Sequence, residues 1–200
     1  AAGPRDRIFF QPAEVTAAIV TCGGLCPGLN DVIQGLVHSL YFHYGVRRIF
    51  GIQYGYKGLV ESSGFDPLPL DPRSVAEIHT RGGTLLGSSR GPQPVEAMVE
   101  FMVKRGINML FTIGGDGTQR GAMALEEEIR KRNLEIAVIG IPKTIDNDVL
   151  FVERSFGFET AYSVATTVLL SAHAEALGAY NGISIVKLMG RESGLLTATA

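Results

Sequence analysis

Short apolar runs at Val15–Thr21, Arg47–Ile52, Asn108–Ile113, Ile136–Gly140 and Ser184–Leu188 alternate with longer segments whose apolar residues recur at helical spacing. This alternation limits the fold more than any other feature. Strand and helix periods that take turns along a chain describe βαβ units, and these pack as a mostly parallel sheet with helices on both faces. The fold class expected is therefore α/β. Helices are expected from Asn30 to about Tyr44, from Asp71 to His79, from Pro94 to Arg105, from Thr118 to Lys131 and from Phe156 to about Ala176. Gly45 and Gly106 sit where a left-handed residue would end a helix, and Asp71-Pro72 reads as an N-cap with a proline at the first helical position. Val95, Met98, Val99 and Met102 form a helical apolar stripe, so these methionines are core residues.

What leaves the strands is more unusual than the strands themselves. The first run passes into Cys22-Gly23-Gly24-Leu25-Cys26-Pro27-Gly28, which turns strand into helix and aims free N–H groups at an anion. Its spacing matches neither the dinucleotide fingerprint nor the Walker loop. The third run exits into Gly114-Gly115-Asp116-Gly117-Thr118, and the fourth, read as a buried strand stopped by Pro142, exits into Lys143-Thr144-Ile145-Asp146-Asn147-Asp148. Open α/β sheets bind ligands at the carboxyl ends of their strands, where these loops fall. The plain alternative for the last loop is an Asx-turn in which Asp146, Asn147 and Asp148 satisfy local backbone. Gly82–Pro92 encloses Arg90 among glycines and serines, a setting in which a guanidinium can hold phosphate bidentately.

Phosphoryl transfer requires cationic groups around the moving phosphoryl, a divalent cation and a carboxylate to take the acceptor's proton. Asp116 is the candidate Mg²⁺ ligand, because that hard cation prefers oxygen. Asp146 is the candidate base, with Asp148 beside it. Thr144 can hydrogen-bond a transferred phosphate, and Arg90, Lys143 and Arg191 supply positive charge.

Taken together, the Gly-Gly-Asp-Gly-Thr loop, the Thr-Ile-Asp-Asn-Asp loop and Met189-Gly190-Arg191 resemble the phosphofructokinase family from about Val15 to the last residue. The resemblance implies a nucleotide-binding lobe over 15–148, preceded by an extension at 1–14, and the start of a sugar-phosphate lobe over 149–200. It implies a donor site at Gly24, Tyr56, Arg90, Gly91, Gly115, Asp116, Gly117 and Thr118. The acceptor site implied is Thr144, Ile145, Asp146, Asp148, Met189, Gly190 and Arg191, with Asp146, Lys143 and Arg191 catalytic. The reaction implied is Mg²⁺-dependent transfer from ATP to the 1-hydroxyl of fructose 6-phosphate.

Family members use either ATP or pyrophosphate. Gly117 leaves room for a nucleotide's α-phosphate where pyrophosphate enzymes carry an aspartate, whereas Lys143 is a pyrophosphate-type feature. The combination resembles the ATP-using branch of plants and trypanosomatids. Members continue well beyond residue 200, so the second, substrate lobe is expected to be incomplete and the chain a fragment. Where bacterial members carry a sugar-binding arginine, this chain has Asn181-Gly182. A rival reading is a non-catalytic chain that pairs with full-length subunits through exposed apolar surface. A lipid or NAD kinase shares the Gly-Gly-Asp-Gly-Thr loop but lacks the other two motifs.

Bulk properties exclude several classes. A net charge of −2 offers no broad basic field for nucleic acid. No apolar run reaches the roughly eighteen residues of a membrane span. Only two cysteines are present, without histidines at ligand spacing, so a metal or redox centre there is disfavoured. The expectation is a soluble cytoplasmic protein, with a plastid as the other compartment, forming a homo-oligomer in its full-length form. Residues 1–12 read as an extension packed onto the domain by Phe9 and Phe10.

Overall fold

The computed structural model describes residues 7–200, so the part of the expected extension before Arg7 lies outside the described residues. The described residues form two compact units: 7–25 with 29–141, and 26–28 with 142–200.

The first unit is built on β1 (Thr16–Thr21), every residue of which is buried. A strand covered on both faces has no use for alternation, and Thr-Ala-Ala-Ile-Val-Thr is continuous rather than alternating. Around it lie β2 (Arg48–Ile52), the two-residue β3 (Leu68–Pro69), β4 (Met109–Gly114) and β5 (Ala137–Pro142), in the order β3-β2-β1-β4-β5. β1 pairs parallel with both β2 and β4, while β3 runs antiparallel to β2. Helix α1 (Leu29–His38) links β1 to β2, α2 (Val95–Lys104) precedes β4, and α3 (Asp116–Lys131) links β4 to β5. Right-handed crossovers in opposite directions from β1 put α1 on one face and α2 with α3 on the other. The core agrees: Ala18 and Val20 of β1 pack with Met98, Val99 and Met102 of α2 and with Leu125 and Ile129 of α3. Side chains of that size each contribute about 1.5–3 kcal/mol when removed from water.

The strand order reverses between β1 and β4. That switch point is where the loops after the two strands diverge and open a crevice at the carboxyl edge. The glycine loop after β1 and the Gly-Gly-Asp loop after β4 both begin there.

Helix α1 widens into a π turn over Ser39–His43, and Gly45 follows with φ +73°. Gly106 closes α2 with φ +64°. Four expectations need correction. β5 is an edge strand with half-buried residues and an exposed Gly140, not a buried one; an apolar run looks the same in either place, but among the described residues nothing pairs beyond it. Asp71 caps as expected, accepting the Ser74 N–H at 2.7 Å, yet only turns and a 3-10 segment at Ile78–Thr80 follow. Val75 and Ile78 are the only buried residues over Arg73–Thr80, too few anchors for an otherwise marginal short helix. Phe9 is 77% exposed and meets Phe10 edge-on at 5.0 Å. Phe10 is half-buried, and both rings border a shallow depression with Leu134 and Ile136, so the aromatic pair covers the domain only in part.

The fourth correction falls in the second unit. Ser184–Leu188 forms no strand, and Ile183 and Ile185 are 87% and 93% exposed. Among the described residues of that unit no strand follows Pro142, so the segment has no ladder to join. The unit consists of α4 (Phe158–Gly178), α5 (Leu195–Thr199) and the loops before each. Gly157 starts α4 with φ +86°, and a Cβ there would meet Cys26 Sγ and, at 2.5 Å, the Pro27 carbonyl. Among the described residues no helix is long and apolar enough to cross a membrane.

Candidate active site

In the first unit, two loops are sewn together at the end of β1. Thr21 Oγ1 donates to the Gly87 carbonyl at 2.7 Å, the Gly23 N–H donates to Ser89 O at 3.0 Å, and Ser88 Oγ donates to Gly23 O at 2.6 Å. These bonds satisfy the polar groups of two irregular segments and leave Arg90 exposed beside the first glycine loop. A Cβ at Gly24 would lie 3.2 Å from Arg90 Nη2, so glycine is what lets the guanidinium approach the backbone. Gly91, with φ +98°, turns the chain away.

Gly115 caps α3 in an extended conformation, with no side-chain cap. Its carbonyl accepts the N–H groups of Thr118 at 2.9 Å and Gln119 at 3.0 Å, so the first N–H groups of α3 point outward at the positive end of a sixteen-residue helix. Asp116 and Gly117 are exposed there, while Thr118 is buried. Tyr56 is buried too, and its hydroxyl donates to the Thr118 carbonyl at 2.7 Å. Burial, then the neighbouring Cys22, pushes its phenol far above the ordinary range. Tyr56 therefore meets the Gly-Gly-Asp loop through Thr118. The chemistry on offer to a polyphosphate is the helix N–H groups at the start of α3, the Arg90 guanidinium at the first glycine loop and the Asp116 carboxylate in the first turn of α3. Among the described residues no three His, Cys, Asp or Glu side chains gather as a metal cage. A single exposed Asp116 fits Mg²⁺, which keeps waters and completes its shell with substrate phosphate oxygens.

The second unit carries the other candidate residues, in a loop fixed by polar bonds. Thr144 Oγ1 accepts the Asp146 N–H at 3.1 Å and donates to Asp148 Oδ1 at 2.5 Å. With its single proton on Asp148, Thr144 serves here as a brace for the loop. Asn147, at φ +53°, donates to Glu153 O at 3.0 Å and accepts the Ser155 N–H at 2.7 Å. Ser155 Oγ in turn donates to the Thr144 carbonyl. The Asx-type role is thus taken by Asn147, bonded to backbone several residues on, and the aspartates are left for other work.

Asp146 and Lys143 are only 7% and 6% exposed. Desolvation raises the Asp146 pKa most and the charge of Asp148 raises it further; Arg191 and then Lys143 oppose them. The net result is a carboxyl more basic than an ordinary aspartate. Arg191 is exposed in a left-handed turn at φ +48°, after buried Gly190 and exposed Met189, and Ser193 Oγ donates to the Asp146 carbonyl at 3.3 Å. Ile145 is half-buried and Asp148 exposed. Two contributors escaped the sequence reading. Ser155 and Ser193 hold the loop from distant positions, with no local signal. Cys26 donates to Phe156 O at 3.1 Å, and burial, offset by Lys143, pushes its thiol up to about 11. A thiol so weakly acidic is a packing group rather than a nucleophile.

The fold is an open α/β sheet with glycine loops at its switch point, and the second unit holds a desolvated carboxylate near cationic groups. The sequence model of the family described as Phosphofructokinase matches residues 16–200. The chain belongs to the phosphofructokinase family. It is 56% identical over 198 residues to an ATP-dependent 6-phosphofructokinase of Borreliella burgdorferi, covering 98% of this chain and 44% of that protein. It is 52% identical to the chloroplastic ATP-dependent 6-phosphofructokinase 5 of Arabidopsis thaliana, covering 100% of this chain and 37% of that one. With an ATP-dependent 6-phosphofructokinase of Trypanosoma cruzi the identity is 51%, over 100% of this chain and 41% of that protein. The chain thus spans less than half the length of these relatives. The phosphofructokinase structure from Saccharomyces cerevisiae superimposes with TM-score 0.73 at 25% identity, over 91% of this chain and 26% of that one.

Proposed function

We propose that this chain carries the donor site and the catalytic base of an ATP-dependent 6-phosphofructokinase. In this reading Gly24, Arg90, Gly91 and the Gly115–Thr118 loop hold the nucleotide's phosphates. The observation that carries the chemistry is the buried, weakly acidic carboxyl of Asp146, set among Asp148, Lys143 and Arg191. Such a carboxylate takes the proton from the 1-hydroxyl of fructose 6-phosphate as its oxygen attacks the γ-phosphorus. The bond to the bridging oxygen breaks, ADP leaves, and Lys143 and Arg191 offset the charge on the transferred group. Mg²⁺ held by Asp116 would supply further positive charge to the donor's phosphates.

ATP as donor is supported by exposed Gly117, whose Cβ position has open space around it, and by relatives at 51–56% identity that carry ATP-dependent names. Pyrophosphate is the alternative donor that Lys143 keeps in view. The full-length form is proposed to be a cytoplasmic or plastid homo-oligomer.

The test is turnover of fructose 6-phosphate with ATP or pyrophosphate by the full-length protein, wild type and Asp146→Asn. Loss of the base is expected to lower kcat by about 10²–10⁴-fold while Mg-ATP affinity stays within about twofold. Retained turnover removes Asp146 from the role. The exposed apolar face of α4 favours one second reading, a non-catalytic chain that pairs with complete subunits. Sugar-phosphate turnover appearing only on mixing with such subunits would support it.

A further inference from the structure

We propose that Gln119 is a positioning residue that clamps the carboxyl ends of β4 and β5 together. It lies in the first turn of α3, and its side-chain Nε2–H group donates to the Gly114 carbonyl at 2.9 Å and to the Ile141 carbonyl at 3.2 Å. Gly114 ends β4 and leads into the Asp116 loop. Ile141 is the next-to-last residue of β5, and the chain goes on from it to Lys143. One amide thus joins the two strand exits from which both acidic loops depart.

Three features make the contact a built one. Two carbonyls can be met only by the nitrogen side of the amide, which fixes its orientation. The oxygen side lies against Gly140, where an added Cβ would collide with Gln119 Oε1. Gly140 is exposed on an edge strand, a setting in which a β-branched residue would otherwise serve better, and no positive φ requires glycine there. The space at Gly140 is the space the clamp occupies.

β5 needs such a tie because it is the sheet's edge strand, held from one side only, and its last residue, Pro142, has no N–H to offer a ladder. Gln119 ends the ladder with two side-chain bonds. The catalytic consequence rests on the phosphotransferase reading above: a loop that starts from a wandering strand end cannot hold a base to the tolerance that proton transfer requires.

The test is a double-mutant cycle in the full-length protein, with Gln119→Met, Gly140→Ala and the pair. Gln119→Met keeps the volume and removes both bonds; Gly140→Ala displaces the amide without touching its chemistry. Each single change is expected to lower kcat by about ten- to a hundredfold with KM for Mg-ATP nearly constant. The double variant is expected to be no worse than the worse single one. Additive losses, or a lowered Tm with unchanged kcat, overturn the clamp. If the wild type transfers no phosphate, the functional reading fails by itself. The same cycle read in thermal unfolding then decides the clamp, with non-additive shifts supporting it and additive shifts overturning it.

Discussion

Helices α3 and α4 are the two longest in the chain, and they are built on opposite plans. α3 has sixteen residues and buries Thr118, Ala122, Leu125 and Ile129, a stripe at three- and four-residue spacing with charged residues opposite. α4 has twenty-one residues and buries only Ala165, while Val164, Val168, Leu170 and Leu177 lie exposed on its surface. A helix apolar all round belongs in an interior, so α4 is written for surroundings that the described residues do not supply. The first unit is finished by its own core. The second unit is precise only where polar bonds make it so, in the loop from Lys143 to Ser155.

The largest expected effect sharpens that contrast. Leu110→Ala, in the core against α2 and α3, is expected to cost about 2–5 kcal/mol in urea unfolding. Leu170→Ala removes the same atoms from a side chain that is 64% exposed and is expected to change stability by about 0.5 kcal/mol or less. A loss at Leu170 approaching that at Leu110 would break the comparison, because another surface would then be covering α4 in solution.

The next effect isolates the first unit. Gly117 stands in the first turn of α3 with no atom within 4 Å of a Cβ placed there, and its φ lies outside the left-handed region. An aspartate fits without strain, and the helix dipole favours it at that position. The cost of Gly117→Asp therefore falls on the ligand. Because the added carboxylate brings bulk and like charge against the nucleotide's α-phosphate, a group pyrophosphate lacks, Mg-ATP affinity is expected to fall about tenfold or more while pyrophosphate affinity changes less than about threefold, both by calorimetry. Equal losses would sink the steric and charge account of donor choice.

Much of this arrangement was readable from residue types because it is local. β1, β2, β4 and the helices α2 and α3 follow from the period of their apolar residues, and the glycine loops follow from turns such as Gly23, Gly87 and Gly91 that require positive φ. Residues whose meaning depends on distant partners were illegible. Nothing near Ser155 says that it braces Thr144, eleven residues before it. Gln119 reads as one more polar helix residue until β5 is seen beside it. The run Ser184–Leu188 has a strand's composition, but composition cannot supply the neighbouring strand that a ladder needs.

The smallest effect probes the second unit through the charge on Asp146. Desolvation and Asp148 raise its pKa, so the ionised base is lost on acidification at a pH above the ordinary aspartate range. Arg191 opposes that rise, and Arg191→Ala should move the acid limb of the kcat profile to still higher pH; Asp148→Asn should move it down. The linkage to stability has the opposite sense from a salt-bridged aspartate. A carboxyl whose pKa is raised by folding favours the native state below its unfolded pKa, and this contribution disappears as pH rises through the folded value. At neutral pH the native state therefore bears the strain of an ionised, buried Asp146. Asp146→Asn is expected to unfold at a higher temperature than the wild type at pH 7, with the gain vanishing below both pKa values. A gain that persists at low pH would mean that the asparagine makes new bonds, and the desolvation that defines the base would lose its support.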